Sequence, residues 1–176
     1  MRKVERSKVY RLLYPTVPAI IAAAHQGKVA AMPVVSLVSL SNSPPLVGFS
    51  SSASHSTYKT ILEAGRFSVS WMDRRFEDEI TRLGTSSGSK TPDKLRSVGL
   101  HHRPGKVLGV PLIEEAAASL ECRFSLSQRL GDHNLVVGEV KSAQAVDDFE
   151  EYWTFQHYSP LLYSGLGRSF RGPYRD

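Results

Sequence analysis

The run Phe49-Ser50-Ser51-Ser52-Ala53-Ser54-His55-Ser56-Thr57-Tyr58-Lys59 crowds hydroxyls and two basic side chains into one short stretch. It joins an apolar segment to a helix-like one, so the hydroxyls and the free N–H groups of a helix start gather at one spot. Unpaired N–H groups and the positive end of the helix dipole both favour an anion such as phosphate. The dipole alone supplies about 0.3–1 kcal/mol, and a charge-assisted hydrogen bond about 1.5–3 kcal/mol. Direct donors therefore dominate: Ser54, Ser56 and Thr57 through their hydroxyls, His55 and Lys59 through charge. The plainer alternative is that Ser56 or Thr57 merely caps the helix.

Two other stretches carry chemical potential. In Gly131-Asp132-His133 a histidine sits at a hairpin turn, where it is either a polar loop residue or a donor to a ligand lying over the mouth of the fold. Its imidazole changes charge near neutral pH. No nucleophile accompanies it at a triad spacing, so hydrolase chemistry has no support. The segment Met32 to Ser36 can hold a flat ring system with backbone N–H groups and small side chains, or it is simply a structural strand. The histidines show no metal-site pattern. His101 and His102 would point to opposite faces of a strand, and His25, His55, His133 and His157 are scattered. No HExxH, GxGxxG or P-loop appears.

These residues need a frame, and the patterning predicts one made mainly of strands. Ile20 to Ala24 is apolar and Gln26-Gly27 offers a turn. Val29 to Leu40 reads as one long buried strand, with Pro33 marking an interruption, bulge or edge. Asn42-Ser43-Pro44-Pro45 signals a turn before a strand over Leu46 to Ser50. Tyr58, Ile61 and Leu62 fall at helical spacing, with Gly65 as cap. In Arg66 to Met72, Phe67, Val69 and Trp71 alternate with serines, the period of a half-buried strand. Phe76, Ile80 and Leu83 predict a second helix closed by Gly84. Thr85 to Lys90 reads as a polar loop, and Thr91-Pro92 as the start of a short helix ending near Gly99. Leu120, Cys122, Phe124 and Leu126 alternate with polar residues, Gly131-Asp132 turns, and Asn134 to Val140 returns as a hairpin. The whole predicts an antiparallel β-barrel with a few helices and no doubly wound sheet.

The chain of 176 residues, 41% of them hydrophobic, suits a single domain with its own core. No apolar run is long enough to cross a bilayer. The charged start, broken by Pro15 and Pro18, does not read as a signal peptide, which makes a cytoplasmic location the expectation. The one cysteine, Cys122, excludes an intrachain disulfide. The net charge is +5, but the basic residues are thinly spread apart from the N-terminus and the tail with Arg168, Arg171 and Arg175. A nucleic-acid-binding barrel is thus a remote alternative, and a modest positive field suits an anionic small ligand equally well.

In order along the chain, these segments resemble the flavin reductase-like family with its FMN-binding split-barrel fold. Ala30-Ala31-Met32-Pro33-Val34-Val35-Ser36 matches the family's small-residue strand. Ser41-Asn42-Ser43-Pro44-Pro45-Leu46-Val47 looks like its S-x-x-P-P-L-V entry. Ser54-His55-Ser56-Thr57-Tyr58 followed by Gly65-Arg66-Phe67-Ser68-Val69 resembles its hydroxyl loop, helix and G-x-F-x-V run. Gly109-Val110-Pro111-Leu112 and Leu120-Glu121-Cys122 follow. The most specific piece is Gly131-Asp132-His133 with Gly138-Glu139-Val140, and Pro160-Leu161-Leu162-Tyr163 closes the series. The resemblance implies one domain over residues 1–176 with its core at about 18–170, bound FMN or FAD, a homodimer, and oxidation of NADH or NADPH. Met32, Pro33, Val34, Val35 and Ser36 would line the isoalloxazine. Ser51, Ser52, Ser54, His55, Ser56 and Thr57 would serve the ribityl chain and phosphate, and His133 the nicotinamide side. Reduced flavin would go to a flavin-dependent monooxygenase or electrons to a transfer protein. The alternative within the family is a non-enzymatic FMN-binding electron carrier similar to flavoredoxins. Pro33 stands where many members have threonine, which removes a hydroxyl and an N–H facing the ring.

Overall fold

The computed structural model describes residues 1–86, 88 and 91–165. The basic tail with Arg168, Arg171 and Arg175 lies outside them. Nine strands carry the fold: β1 Ala19–His25, β2 Lys28–Val34, β3 Val38–Asn42, β4 Pro45–Ser51, β5 Arg66–Met72, β6 His102–Pro104, β7 Pro111–Ile113, β8 Ala116–Leu130 and β9 His133–Ala145. Among the described residues two α-helices, α1 Ser56–Ala64 and α2 Glu77–Thr85, lie between strands. Among the described residues no helix is long and apolar enough to cross a membrane.

Seven strands form one antiparallel sheet in the order β2-β1-β5-β8-β9-β4-β3. The segment that reads in sequence as one long strand, Val29 to Leu40, is two strands at opposite edges of this sheet. Only Val35–Leu37 joins them. Neighbouring strands lie about 4.8 Å apart, so the edges of a flat seven-stranded sheet would be roughly 29 Å apart. The four Cα steps from Val34 to Val38 reach at most about 14 Å. The sheet must therefore curl until its edges approach, giving a barrel split along one side. Within the link, the Ser36 hydroxyl accepts from Ser50 N of β4 at 3.0 Å, which extends the β3–β4 register. Pro33 sits on an edge strand, opposite Ile20, where no ladder hydrogen bond is lost on its outer side.

Two apolar clusters pack on the two faces of the sheet. Ile21, Phe49, Ile61, Phe67, Val69, Cys122 and Val136 fill the curled interior. Ile20, Ala22, Ala31, Ile80, Leu83 and Leu95 pack beneath α2. β5 is consequently buried on both faces, not half-buried as its alternation predicts. Ser68 and Ser70 are 0% and 1% exposed. The Ser68 hydroxyl is bonded to Pro111 O at 2.5 Å and lies 3.3 Å from Ala22 O, and Ser70 pairs with the Ser119 hydroxyl at 3.0 Å. Burial beside Glu121 pushes the Cys122 thiol up to about 12, so it is an inert core group.

Other expectations shift in detail. In α1 the buried side chains are Thr57, Thr60 and Ile61, whereas Leu62 is 44% exposed; the helix meets the barrel through a threonine face. Gly65 is the left-handed cap, as expected. α2 runs through Gly84 to Thr85 instead of ending at the glycine. Beyond Pro92 only a single turn, Arg96–Val98, forms before Gly99, in place of the short helix. The hairpin about Gly131-Asp132 is present and much longer than its alternating core, running from Ala118 to Leu130 on β8 and over the whole of β9.

Candidate functional site

α1 begins where β4 ends, and its N-cap is His55 with no side-chain hydrogen bond to the helix. The capping alternative for Ser56 and Thr57 therefore does not hold. The first N–H groups of α1 have no intrahelical acceptor. Neither the Ser56 nor the Thr57 hydroxyl makes a hydrogen bond among the described residues, although Thr57 is 1% exposed. These groups face a cleft of about 410 Å³ lined by Met32, Pro33, Ser54, His55, Ser56 and Thr57 on one side and by Leu83, Gly84, Gly88 and Lys94 on the other.

The hydroxyl loop is internally ordered. The Ser51 hydroxyl, 1% exposed, lies 3.2 Å from His55 Nδ1 and 3.9 Å from Met32 Sδ, joining β4, the loop and β2. Ser52 and Ser54 hydroxyls are 2.9 Å apart, and Ser54 N donates to Ser52 Oγ at 3.3 Å. Ser51 and Ser52 thus shape the loop, while Ser54, Ser56 and Thr57 line the cleft.

Lys94 completes the site, and sequence reasoning missed it. It is 5% exposed, and its ammonium donates to Ala31 O at 2.9 Å. An ammonium carries three donors, and among the described residues Ala31 O is the one acceptor it meets. The segment before Lys94 reaches the site because Val29 N donates to Pro92 O at 2.8 Å and Lys94 N to Val29 O at 3.0 Å. No periodicity marks that pairing. Its sequence trace is a lysine just past a proline, where Thr91-Pro92 predicts a helix start. Gly88 presses against the same corner: a Cβ there would lie 2.6 Å from Ser56 Oγ and 3.2 Å from Lys94 Cδ. Only glycine lets the loop approach so closely.

Three cationic or titratable groups converge here. Burial first, then the nearby charges of His133 and Lys94, hold the His55 imidazole below its ordinary value. Burial likewise lowers Lys94. His133 opens β9 next to Asn134, which pairs with Ser51, so hairpin and hydroxyl loop meet in space. Its Nδ1 is 2.9 Å from Asp132 Oδ1. The cleft is a set of hydrogen-bond donors and positive charge with too few acceptors, which is the chemistry a phosphate monoester satisfies.

The expected ring-binding residues divide. Met32 and Pro33 line the cleft. Val34 is 7% exposed and belongs to the interior cluster, so its side chain is core. Val35 and Ser36 lie in the link between the sheet edges, with the Ser36 hydroxyl bonded to Ser50 of β4. Among the described residues no cluster of three or more metal-ligating side chains occurs.

A curled antiparallel sheet left open along one side is the FMN-binding split-barrel fold. Residues 10–170 match the flavin reductase like domain, and the chain belongs to that family. An uncharacterized protein from Aeropyrum pernix is 37% identical over 175 residues, 98% of this chain and 66% of that one. The reductase subunit of a flavin-dependent monooxygenase from Mycobacterium tuberculosis is 32% identical over 127 residues, 72% of this chain and 64% of its own length. The matches therefore span just under two thirds of each of these two relatives. Among solved structures, an FMN-binding protein from Thermus thermophilus with bound 1-cyclohex-2-enone is 28% identical. It has a TM-score of 0.81, with 100% of this chain and 96% of that chain covered.

Proposed function

We propose that this chain binds FMN and oxidises NADH or NADPH with it, delivering the electrons to a flavin-dependent monooxygenase or an electron-transfer protein. The observation that carries the binding half is the under-satisfied donor set: the α1 N-terminus, Ser56, Thr57 and the buried Lys94. These would hold the phosphate, Ser54 and the Ser51–His55 pair would order the loop around the ribityl chain, and Met32 and Pro33 would form the ring-side wall. FAD remains the second flavin to test.

When bound, a flavin supplies the chemistry of accepting a hydride from reduced nicotinamide, which no side chain of this protein can do. The chain's own contribution is placement, which by itself accounts for a large part of such accelerations. His133, held by Asp132 at the head of β9, would orient the nicotinamide by a hydrogen bond from its ring. Supporting a homodimer, apolar side chains are exposed along the β3 edge and the β8–β9 hairpin: Val38 at 48%, Leu40 at 45%, Leu126 at 48% and Leu130 at 57%. Such a surface is one a second copy would cover.

The test is anaerobic mixing of the purified protein and FMN with NADH or NADPH, read by nicotinamide absorbance. Turnover with either donor supports the reductase reading. No reduction by either donor sinks it and leaves flavin binding standing, and reduction solely by a partner protein supports an electron carrier instead. His133→Ala is expected to raise KM for the nicotinamide with FMN affinity unchanged; unaltered turnover would remove the role given to His133.

A further inference from the structure

On the inner face of the sheet, away from the hydroxyl loop, lies a second concavity of about 460 Å³. One side is sheet: Trp71 of β5, Ala118 and Leu120 of β8, Ala143 and Ala145 of β9. Alanine is a poor strand former, yet Ala118 and Ala145 stand directly opposite each other in the β8–β9 register. This stretch of strand is cut back to methyl groups where larger side chains would fill the space. The other side is a strap of chain after β9 that carries Phe149, Trp153, Phe155 and Tyr158. The rings of Trp153 and Phe155 lie within 22° of parallel and those of Phe155 and Tyr158 within 26°, each pair with centroids 6.2 Å apart. The groove is thus a slot with a small-residue floor and an aromatic wall.

The strap is fixed in place without a ligand. The Asp148 carboxylate, 4% exposed, accepts from His157 N and Tyr158 N at 2.6 Å each. Asp73 accepts from Ser159 N at 2.8 Å, and Arg74 N donates to Ser159 O at 2.8 Å. A wall so clamped costs little to order on binding.

No charged side chain lines the slot. Its polar ring atoms are the indole N–H groups of Trp71 and Trp153 and the hydroxyl of Tyr158, and none of the three makes a hydrogen bond among the described residues. Tyr158 is 5% exposed, and burial with the nearby Asp73 charge pushes its hydroxyl up to about 12, so it stays protonated. The slot offers flat apolar faces and unpaired donors with no counter-charge. We infer that it is a binding site, separate from the phosphate cleft, for a neutral, flat, conjugated carbonyl compound, whose ring system fills the slot and whose oxygen accepts from these donors. Its size and lining are those of a small-molecule site. The exposed apolar edges suited to a second copy, at β3 and the hairpin tip, are different surfaces. The inference stands independently of the flavin assignment.

Coumarin, a neutral fused-ring lactone, is the probe, titrated calorimetrically into the FMN-loaded protein. Saturable binding is expected, with coumarin-3-carboxylate at least about tenfold weaker because its charge has no partner in the slot. Ala143→Leu, which fills the floor, is expected to abolish binding. Tyr158→Phe should weaken it about three- to tenfold, the scale of one hydrogen bond. FMN affinity, measured in parallel, reports that each slot variant is folded. No saturable binding up to the solubility limit, or binding indifferent to both Ala143→Leu and Tyr158→Phe, overturns the inference. So does acrylamide quenching that finds the two tryptophans shielded in the protein without probe, because another polypeptide segment would then already fill the slot.

Discussion

Two sets of hydroxyls in this chain have opposite fates. On β5, Ser68 and Ser70 are buried and fully paired, with Pro111 O, Ala22 O and the Ser119 hydroxyl as partners. At the start of α1, the half-buried Ser56 and the buried Thr57 make no side-chain hydrogen bond among the described residues and face the cleft. The first set is part of what holds the sheet together, and the second is donor capacity left open to a ligand. Composition cannot separate the two, since both segments are serine-rich. What separates them is the place of each acceptor in the folded chain.

That contrast is open to attack from both sides. Lys94→Met should produce the largest effect, weakening FMN by about 1.5–3 kcal/mol, or roughly 10- to 150-fold, with riboflavin, which has no phosphate, unaffected. Flavin fluorescence quenching measures both, and an equal loss for the two flavins would refute a phosphate role. Ser68→Val should lower unfolding stability by about 1–3 kcal/mol, through the Pro111 carbonyl left without its hydroxyl donor, and leave FMN affinity intact in the same assay. Ser56→Ala should do the reverse: FMN weakened by about 0.5–1.5 kcal/mol, with no loss in chemical denaturation. A stability loss there would mean that the hydroxyl has a structural partner after all.

The smallest effect concerns pH. His55 is held below the ordinary histidine value of 6.5, so the unfolded chain takes up its proton first as pH falls. The stability it contributes is fully present above that value and is lost as pH drops through the depressed folded one. In flavin-free protein, His55→Asn should flatten the decline in stability below about pH 6.5. A bound phosphate would oppose the depression, so the slope should also shrink when FMN is present.

Much of this was legible before the fold was known. The hairpin of β8 and β9 announced itself by strict alternation and a Gly-Asp turn. The hydroxyl loop announced itself because phosphate chemistry needs a recognisable local cluster. Three things were hidden for identifiable reasons. The break between β2 and β3 lies in a largely apolar run, and although Pro33 marks an interruption, period alone does not say that the chain has changed sheet edge. The burial of Ser68 and Ser70 depends on β7 and β8, which arrive much later in sequence. Lys94 is brought to the cleft by a parallel bridge between Val29 and Asp93, a long-range pairing with no local signature.

The short link Val35–Leu37 also bears on how the chain finds its fold. The β1–β2, β3–β4 and β8–β9 hairpins each close locally, but β1 must meet β5 and β4 must meet β9 across long stretches of chain. Non-local pairings of this kind slow folding because loop entropy is lost before contacts compensate. By tying the first two hairpins together, the link keeps the future sheet edges at high mutual concentration from the outset. A circular permutant opened at this link would have the same strands, yet would have to search for the seam through open solution. It should reach the same structure more slowly.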